Sequence, residues 1–391
     1  MYLTNCRLHA PFTGGVESKS GCVEIADGRI VSVSERVPEG AAEVFDCGGG
    51  TLLPGLIDLH THITVMSGVG VDAIGDPMQV IVEASEQAKR YLHYGFTTIR
   101  DCGSIDRCAN YVKKLVSRGV FPGPDILSCG EILMPSVEDP RSSSGAMTRF
   151  CDGAEEYRKA VREERAMGAD FIKIYASGSA FVPTGVPKHP IMTYDEIQTA
   201  VDTASANCLY VAAHCHADSA IRDCVRAGVR TIEHATYLGD DTIELLLKTP
   251  DCSLVPTFAA MYVSQTEPEA RAFWLARLTP MLESCAAGIE KAYKAGVKIG
   301  FGTDSAPLSK QYEQGVEFRY RKEFCGMSNT DILLQATKYS AEIAGIADRV
   351  GEIRPGLRAD LILVNGDPVE DISVMYAPPA RVWKSGVMFA E

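Results

Sequence analysis

The sequence predicts an α/β protein in which a (β/α)8 barrel is joined to a small β domain. Residues 54–352 alternate short apolar runs with helical patterns, which is the order that a sheet of parallel strands requires. Both ends of the chain consist instead of short alternating runs separated by glycine turns. The length of 391 residues exceeds the roughly 250 residues of such a barrel. The excess leaves room for a second unit.

The barrel segment contains eight candidate strands and the helices that would connect them. Strands are short apolar runs bounded by turn residues, and helices are longer amphipathic stretches. The candidate strands are residues 56–62, 96–101, 125–131, 170–176, 209–214, 230–234, 253–258 and 297–303. Helices are predicted at residues 78–94, 152–167, 217–227, 239–248 and 268–295. Thr193 and Glu196 predict a capping box at the start of one further helix.

Residues 1–53 and 353–391 are predicted to pair into one small β-sandwich domain. The barrel of residues 54–352 would then be inserted between them. Asp27–Gly28, which lies between two alternating runs, predicts a hairpin turn. Neither end has enough strands to form a sandwich by itself, so each end needs the other.

Composition bounds the partners and the location of the protein. No run of about 18 apolar residues could span a bilayer, and the first residues lack the charged start and apolar core of a secretory signal. The 13 cysteines have no regular spacing, which is typical of reduced thiols. A net charge of −13 disfavours nucleic acids and anionic membranes as partners, because both would repel the chain. We therefore expect a cytoplasmic protein whose partners are neither nucleic acids nor membranes.

A His-x-His pair ends the first predicted strand. His60 and His62 follow the apolar run of residues 54–59. Residues two apart on a strand face the same side, so both imidazoles can reach one metal ion. In isolation, such a pair is equally compatible with two histidines that only form hydrogen bonds at a strand end.

Four further side chains that can bind a metal lie in or at the end of later predicted strands. His214, His234 and Asp304 end three of them. Lys173 lies in the middle of an apolar strand, where an unpaired ammonium group is costly. The lysine is therefore expected to be paired with an acid, neutral, or converted by carbon dioxide to a carbamate. A carbamate would be an anionic, bidentate metal ligand.

The order His-x-His, Lys, His, His, Asp at successive strands resembles that of the amidohydrolase superfamily. Within it the chain is most similar to the prolidase-like and imidazolonepropionase-like branch. The matching segments are GLIDLHTH, GFTTIRDCG, FIKIYASG, the His214 segment, AGVRTIEHAT, GFGTDSAP and GEIRPGLRADLILVNGDP. The resemblance implies a distorted (β/α)8 TIM barrel that carries one or two divalent metal ions at its mouth.

The resemblance also implies a metal-ligand set and a mechanism. Six ligands would hold two divalent metal ions: His60, His62 and Asp304 on one, His214 and His234 on the other, and carboxylated Lys173 as the bridge. Zinc suits this nitrogen-rich set, with manganese and iron as alternatives. A metal-bridging hydroxide would be the nucleophile, and Asp304 would shuttle its proton to the leaving amine.

Two residues near the proposed ligands are candidates for binding the substrate. His216 shares a strand with His214 and faces the same side. It would bind an oxyanion or carboxylate, or have only a structural role. Tyr237 would polarise the substrate carbonyl or pack under a loop. Arg100 and Asp101, at the end of the second strand, are expected to brace the rim of the barrel.

The polar loop 134–145 after the third strand is predicted to be a lid or binding loop, or a surface loop without a role. Relatives in this branch carry a Gly-Gly-His-Gly segment there, whose histidine is thought to bind the substrate carboxylate. Here the corresponding residues 142–145 contain no histidine. Either Arg141 or Arg149 replaces it, since guanidinium binds carboxylate in a bidentate manner, or the substrate has no carboxylate at that position.

These features predict metal-dependent hydrolysis of an amide or peptide bond in a small molecule, such as a dipeptide or an N-acyl amino acid. One alternative is hydrolysis of a cyclic amide or amidine, or deamination, which often needs one metal ion. A non-catalytic scaffold is a further alternative, and the retention of all six ligands disfavours it. A homo-oligomer is compatible with the sequence.

Overall fold

The strands form one mixed sheet and two parallel sheets, with helices between the parallel strands. The protein, as a computed structural model, is described for residues 1–37, 39–41, 43–65, 76–140, 142, 144–182, 184–266, 272–305 and 315–389. Within these residues the predicted α/β content is confirmed.

The mixed sheet combines strands from both ends of the chain. Its eight strands are β1 (Tyr2–Leu8), β2 (Ser18–Ala26), β3 (Arg29–Ser34), β4 (Val44–Asp46), β5 (Thr51–Pro54), β15 (Leu361–Val364), β16 (Arg381–Lys384) and β17 (Val387–Met388). They lie in the order β17-β16-β15-β5-β1-β2-β3, and β4 pairs with β1. The C-terminal strands join through β15, which runs antiparallel to β5 with Leu363 opposite Leu52. The two ends therefore pair, while the β-sandwich and the domain boundaries stay predictions.

The turn between β2 and β3 is the hairpin that Asp27–Gly28 predicts. The strands are antiparallel, with Ala26 opposite Arg29. Asp27 has φ 49° and Gly28 has φ 73°, so both central residues adopt the left-handed conformation that a two-residue hairpin prefers. A Cβ on Gly28 would lie 2.9 Å from the carbonyl oxygen of Ser385. Glycine is therefore required here by both conformation and space.

The mixed sheet has its own apolar cluster and is tied to the parallel strands by ion pairs. Trp383 of β16 is fully buried in that cluster, and its ring meets Phe45 edge to face at a centroid distance of 5.3 Å. Lys384 Nζ lies 2.7 Å from an oxygen of buried Asp360 and 3.2 Å from Asp125 Oδ1. Arg358 also contacts both carboxylates. These charges fix the mixed sheet against the parallel strand that begins at Asp125.

The two parallel sheets contain the middle of the chain. One consists of β6 (Leu56–Thr61), β7 (Phe96–Asp101) and β8 (Asp125–Ser128), in that order. The other has the order β10-β9-β11-β12-β13-β14, with β9 (Ile132–Met134), β10 (Thr148–Phe150), β11 (Ile172–Tyr175), β12 (Val211–Cys215), β13 (Thr231–His234) and β14 (Ser253–Val255). Seven of the eight predicted barrel strands correspond to these elements. The short strands β9 and β10 were not predicted, and they flank the polar loop 134–145.

The helices are α1 (Pro77–His93), α2 (Cys108–Ser117), α3 (Ala154–Ala166), α4 (Tyr194–Ala206), α5 (Asp218–Ala227), α6 (Asp240–Leu247), α7 (Phe258–Thr266), α8 (Ala272–Ala295), α9 (Gly315–Cys325), α10 (Asn329–Leu334) and α11 (Ser340–Ala344). The predicted helices match α1, α3, α5, α6 and α8 closely. The capping box is confirmed, because Thr193 Oγ1 accepts from the N–H of Glu196 and the Glu196 carboxylate accepts from the N–H of Thr193.

The eighth predicted strand, residues 297–303, is not a continuous strand in the structure. It forms isolated bridges instead, with Ile299 opposite Leu254 of β14. Side chains take up several of its backbone groups: the N–H of Phe301 donates to Ser340 Oγ, and the oxygen of Gly300 accepts from Arg321 Nη1. The N–H of Thr303 likewise donates to Asp58 Oδ1. The segment also bonds through its backbone to both neighbours, since the N–H of Gly300 donates to the oxygen of Leu254 and the N–H of Leu59 donates to the oxygen of Phe301. Side-chain bonds thus supplement a partial backbone ladder.

No helix in the described ranges has both the length and the apolar character that crossing a bilayer requires.

Replacing Trp383 by alanine should lower the free energy of unfolding by about 3–5 kcal/mol, because it leaves a cavity in the cluster of the mixed sheet. Chemical denaturation measures the change. The matched control is Val387→Ala on the neighbouring strand β17, where the side chain is 71% exposed and the change should be small. Equal stability losses in the two variants would show that the C-terminal strands do not depend on this cluster.

Candidate metal centre

Five histidines gather where the parallel strands end. His60 lies near the end of β6 and His62 directly follows this strand. His214 and His216 lie at the end of β12, and His234 ends β13. We call these five residues the histidine cluster. Parallel pairing places them close together, since Tyr175 of β11 is opposite His214 and Cys215 of β12 is opposite His234. All five rings are buried. Their gathering follows from the common direction of the strands, whose carboxyl ends meet at one edge.

Lys173 and Asp304 complete this group. Lys173 Nζ lies 3.3 Å from His60 Nε2, and the side chain is fully buried. Asp304 Oδ1 lies 3.5 Å from His60 Nε2 and 3.4 Å from His62 Nε2. The ring centroids of His60 and His234 are 4.8 Å apart, and those of His214 and His234 are 4.6 Å apart. The structure thus brings together all six residues that the sequence predicts as metal ligands.

Three rings have hydrogen-bond partners that determine which nitrogen carries the proton. His60 Nδ1 lies 2.7 Å from Glu233 Oε2, and His62 Nδ1 lies 3.2 Å from the oxygen of Gly103. His214 Nε2 lies 3.5 Å from the oxygen of Gly178. Carboxylate and carbonyl oxygens accept hydrogen bonds, so these nitrogens are the protonated ones. The opposite nitrogens, Nε2 of His60 and His62 and Nδ1 of His214, therefore carry lone pairs.

Several buried ring nitrogens have no hydrogen-bond partner within the described part of the chain. They are His214 Nδ1, His216 Nε2 and His234 Nε2. The other nitrogens of His216 and His234 each lie 2.7 Å from a threonine hydroxyl, of Thr236 and Thr257 respectively. An unsatisfied polar atom in a protein interior is unfavourable, and each such atom needs an explanation. A divalent cation among these nitrogens would satisfy them.

The backbone is strained where the ligands leave the strands. His234 has φ 68°, the next residue, Ala235, has φ 51°, and Asp304 has φ 54°. Non-glycine residues in this region cost of order 1–3 kcal/mol each, and they concentrate at functional sites. Asp304 is held in place by a hydrogen bond from its N–H to the oxygen of His60, at 2.7 Å. The strained conformations thus direct side chains that a regular strand would point elsewhere.

Burial keeps the imidazoles neutral. It lowers the pKa of His60, His214 and His234 well below the usual value. Burial together with the charge of Lys173 lowers the pKa of His62 and His216 to about 3. Neutral imidazole is the form that binds a metal, because the lone pair must be free. Near neutral pH these imidazoles would therefore not have to lose a proton before binding a metal ion.

Burial has the opposite effect on the carboxyl group of Asp304. It raises the pKa of Asp304 to about 7, although the charge of Lys173 acts to lower it. His60, His234 and Asp304 each place a ligand atom within 4.8 Å of the others, a spacing that could hold a metal ion. A carboxyl group with a pKa near neutrality can both accept and donate a proton, which suits a proton shuttle.

The structure distinguishes among the four residues that the sequence suggests for substrate binding. His216 belongs to the histidine cluster, with its ring 4.5 Å from that of His214. Tyr237 is half-buried, its N–H donates to the oxygen of His216, and Lys188 Nζ lies 4.9 Å above its ring. Arg149 instead contacts Glu163 of α3. Arg141 lies outside the described residues.

The loop that lacks the expected histidine is fastened near the cluster by a carboxylate. Ser144 Oγ donates to Glu138 Oε2 at 2.7 Å, and Glu138 Oε1 accepts from the N–H of Ser179 at 3.2 Å. Ser179 follows Gly178, whose oxygen accepts from His214. Loop 134–145 therefore contacts the loop that follows β11, next to His214.

Glu233 and Arg100 are two buried residues whose contribution to the site the sequence analysis missed. Arg100 was expected to brace the rim together with Asp101. Asp101 accepts a hydrogen bond from the N–H of Ile63, whereas Arg100 binds Glu233. Glu233 is a charged residue inside the apolar run that ends at His234. This pattern, which also identified Lys173, could have predicted a role for Glu233 at the site.

Comparisons with known proteins place this geometry in a family. The model of the amidohydrolase family matches residues 51–388. Ochratoxinase of Aspergillus niger is 29% identical over 375 residues, covering 86% of this chain and 75% of that protein. A prolidase in complex with N-methylphosphonate-L-proline is 31% identical with a TM-score of 0.89, covering 100% of this chain and 99% of that one. A Xaa-Pro dipeptidase with bound methionine is 26% identical with a TM-score of 0.89 and the same coverage.

The family match spans more than half of the chain, and the solved structures cover its whole length. Members of this family generally depend on a metal, which agrees with the gathering of imidazoles at the strand ends. The chain therefore belongs to the amidohydrolase family and is a hydrolase of carbon–nitrogen amide bonds.

Proposed function

We propose that the protein is a metal-dependent hydrolase of an amide or peptide bond in a small molecule with a free carboxylate, such as a dipeptide or an N-acyl amino acid. The observation that carries the proposal is the orientation of the imidazoles. Nε2 of His60 and Nε2 of His62 face Asp304, and Nδ1 of buried His214 has no partner within the described residues. The opposite nitrogens of the three rings are bonded to the protein. Such fixing of each ring through its second nitrogen is characteristic of metal-binding histidines.

Six residues would hold two divalent metal ions, for which zinc suits the ligand set: His60, His62, His214, His234, Asp304 and carboxylated Lys173. When bound, such ions lower the pKa of water toward neutrality and polarise the substrate carbonyl. Fully buried Lys173 favours a two-metal site over the one-metal alternative. As a carbamate it would be an anion able to bridge, and no acid within the described residues pairs with its ammonium form.

Asp304 would move the proton during the reaction. Water adds to the carbonyl carbon, Asp304 accepts the proton that water releases, and the bond between carbon and nitrogen breaks. Asp304 then gives the proton to the departing amine, so that an acid and an amine leave. A carboxylate has two usable oxygens, so Asp304 could both ligate a metal ion and carry the proton. His216 and Tyr237 would orient the substrate carbonyl beside this carboxyl group.

Lys188 is our candidate for the group that binds the substrate carboxylate. Its ammonium group lies over the ring of Tyr237, and within the described residues it forms no ion pair with an acid. Tyr237 is bonded through its backbone to His216, so Lys188 stands at the edge of the histidine cluster. The prolidase and the Xaa-Pro dipeptidase are named for peptide substrates, which supports a substrate that ends in a carboxylate.

We also propose that the two parallel sheets close into a distorted (β/α)8 barrel. On one side residues 299–305 connect β14 to β6 through the bridges Leu254–Ile299 and Thr61–Ser305. On the other side the N–H of Asp170, just before β11, donates to the oxygen of Ser128 in β8 at 2.8 Å. Residues 54–352 would form this barrel, and residues 1–53 and 353–391 the second domain. A cytoplasmic location and a homo-oligomer stay predictions.

Zinc-loaded protein should hydrolyse members of a library of dipeptides and N-acyl amino acids, with release of the free amino acid as the measured signal. Full removal of the metal by a chelator should abolish the activity, and added zinc should restore it. Activity that persists without metal would contradict the mechanism, and failure to cleave any library member would contradict the substrate class.

Asp304→Asn should reduce turnover roughly 100- to 10,000-fold, because the amide cannot carry the proton. Metal content and the thermal midpoint should stay close to those of the wild type. Asp240→Asn is the matched control, since that side chain is 77% exposed on α6 and its change should leave turnover unaltered. Wild-type turnover in Asp304→Asn would remove this residue from the mechanism.

Lys173→Ala should lower the number of metal ions per chain, because it removes the proposed bridge. Elemental analysis of the purified variant measures this number, and a ¹³C carbamate resonance should disappear in parallel. Lys113→Ala serves as the control, since Lys113 pairs with Asp170 at the surface and should not affect the metal. Full metal occupancy in Lys173→Ala would exclude the bridging role.

Lys188→Gln should raise KM roughly 10-fold for an N-acyl amino acid and leave kcat nearly unchanged, because one charged contact with the carboxylate is lost. The C-terminal amide of the same compound should be unaffected. Lys248→Gln, just after α6, is the control, because that side chain is 76% exposed. An equal change of KM for acid and amide would contradict recognition of the carboxylate by Lys188.

A further inference from the structure

Glu233 is a fully buried carboxylate whose two oxygens are both occupied by protein groups. Oε2 lies 2.7 Å from His60 Nδ1. Oε1 accepts hydrogen bonds from Arg100 Nη2 at 2.6 Å and from Thr231 Oγ1 at 2.5 Å. Three of the roughly four acceptor positions of this carboxylate are thus engaged by the protein. Although His60, Cys102 and Glu233 place ligand atoms within 4.8 Å of one another, these bonds favour support of His60 over metal ligation by Glu233. Its contact with the metal centre runs through His60.

Arg100 holds this carboxylate from β7, a strand of the other parallel sheet. It is fully buried on β7, and its Nε donates to the oxygen of Leu59 at 2.5 Å. Its Nη1 donates to Thr231 Oγ1 at 3.1 Å. A planar guanidinium group with three fixed acceptors cannot rotate without breaking several bonds at once. Arg100 and Glu233 therefore form a rigid connection across β7, β13 and β6.

The other rings of the histidine cluster have neutral partners. His62 and His214 each face a backbone carbonyl, and His216 and His234 each face a threonine hydroxyl. Within the described residues His60 is thus the one member whose second nitrogen is bonded to a carboxylate. A carboxylate partner raises the basicity of the opposite ring nitrogen more than a neutral partner does. His60 should consequently be the strongest donor of the cluster.

We propose that Arg100 and Glu233 are positioning residues that make His60 the dominant imidazole of the metal centre. The metal ion bound by His60 is therefore retained more strongly than the ion on the other side of the centre. This inference rests on the proposed function, because it takes His60 as a metal ligand. Beyond the proposed function, it states that the two metal ions are retained with different strength. It attributes this difference to Arg100 and Glu233, which are not metal ligands themselves.

The test compares the loss of zinc from wild-type protein and from Glu233→Gln. An amide has nearly the shape of the carboxylate but carries no charge, and its NH₂ group must face either Arg100 or His60. Zinc-loaded protein is mixed with excess chelator, and metal per chain is followed over time. We expect wild-type protein to lose zinc in two phases. In Glu233→Gln the slow phase should become roughly 10- to 100-fold faster.

Glu317→Gln is the matched control for the general effect of breaking a buried ion pair. Glu317 and Arg321 of α9 are both fully buried, and Arg321 Nε lies 3.0 Å from Glu317 Oε1. Within the described residues Glu317 forms no hydrogen bond with the histidine cluster. Both variants should have a lower thermal midpoint than the wild type. Zinc loss from Glu317→Gln should keep the wild-type rates.

Equal slow phases in wild-type protein and Glu233→Gln would overturn the inference, as would the same acceleration in Glu317→Gln. A wild-type protein that binds no divalent metal would instead overturn the proposed function. Should Glu233→Gln not be obtained folded, ¹⁵N-histidine-labelled wild-type protein decides the question. One histidine Nδ1 proton shifted far downfield by a carboxylate acceptor supports the inference, and its absence contradicts it.

Discussion

The burial of an amino group among imidazole rings is the physical constraint on which the rest of the site depends. Lys173 is fully buried, and within the described residues it forms no ion pair with an acid. Its nitrogen has His60 as hydrogen-bond partner, and the ring of Tyr175 lies 5.7 Å away. A charge in such surroundings is unfavourable unless it is neutralised or modified. The same exclusion of water keeps the five histidines neutral. Exclusion of water thus favours both a neutral or modified Lys173 and neutral histidines, which are the forms that can bind a metal.

Holding neutral ligands close together requires a rigid framework, and the structure supplies it with polar groups that have no access to water. Asp58 accepts hydrogen bonds from the backbone of His60 and of Thr303, and so connects β6 to the segment that carries Asp304. Burial raises the pKa of Asp58 to about 7, a sign of how little solvent reaches it. The positive φ values of Asp304 and His234 are tolerated because such bonds over-determine the backbone. The rigid hydrogen-bonded surroundings therefore make the strained backbone at Asp304 and His234 possible.

Much of this could be predicted from the sequence, because each residue that gathers at the centre ends or interrupts an apolar run. That local pattern identifies His60, His214 and Lys173 without any knowledge of the fold. Glu233 and His60 are separated by 173 positions, and hydrogen bonds over such distances leave no periodic signal. The eighth predicted strand failed for a related reason. Its backbone bonds to β6 and β14 only in part, and side chains of Asp58, Ser340 and Arg321 bind further backbone groups of the segment. No propensity of residues 297–303 contains that information.

Most candidate metal ligands lie at strand ends, whereas most candidates for substrate binding lie on loops. This difference explains why the reaction is easier to derive than the substrate. Strand ends are positioned by backbone pairing, and the fold is retained in a solved prolidase that is only 31% identical, with a TM-score of 0.89. Loops lack this pairing and are positioned by individual contacts, such as Glu138 with Ser179. The absence of a histidine in residues 142–145 therefore need not remove carboxylate binding, since a cation on another loop can reach the same space. Lys188, on the loop after β11 and above Tyr237, has the charge and the location for that role.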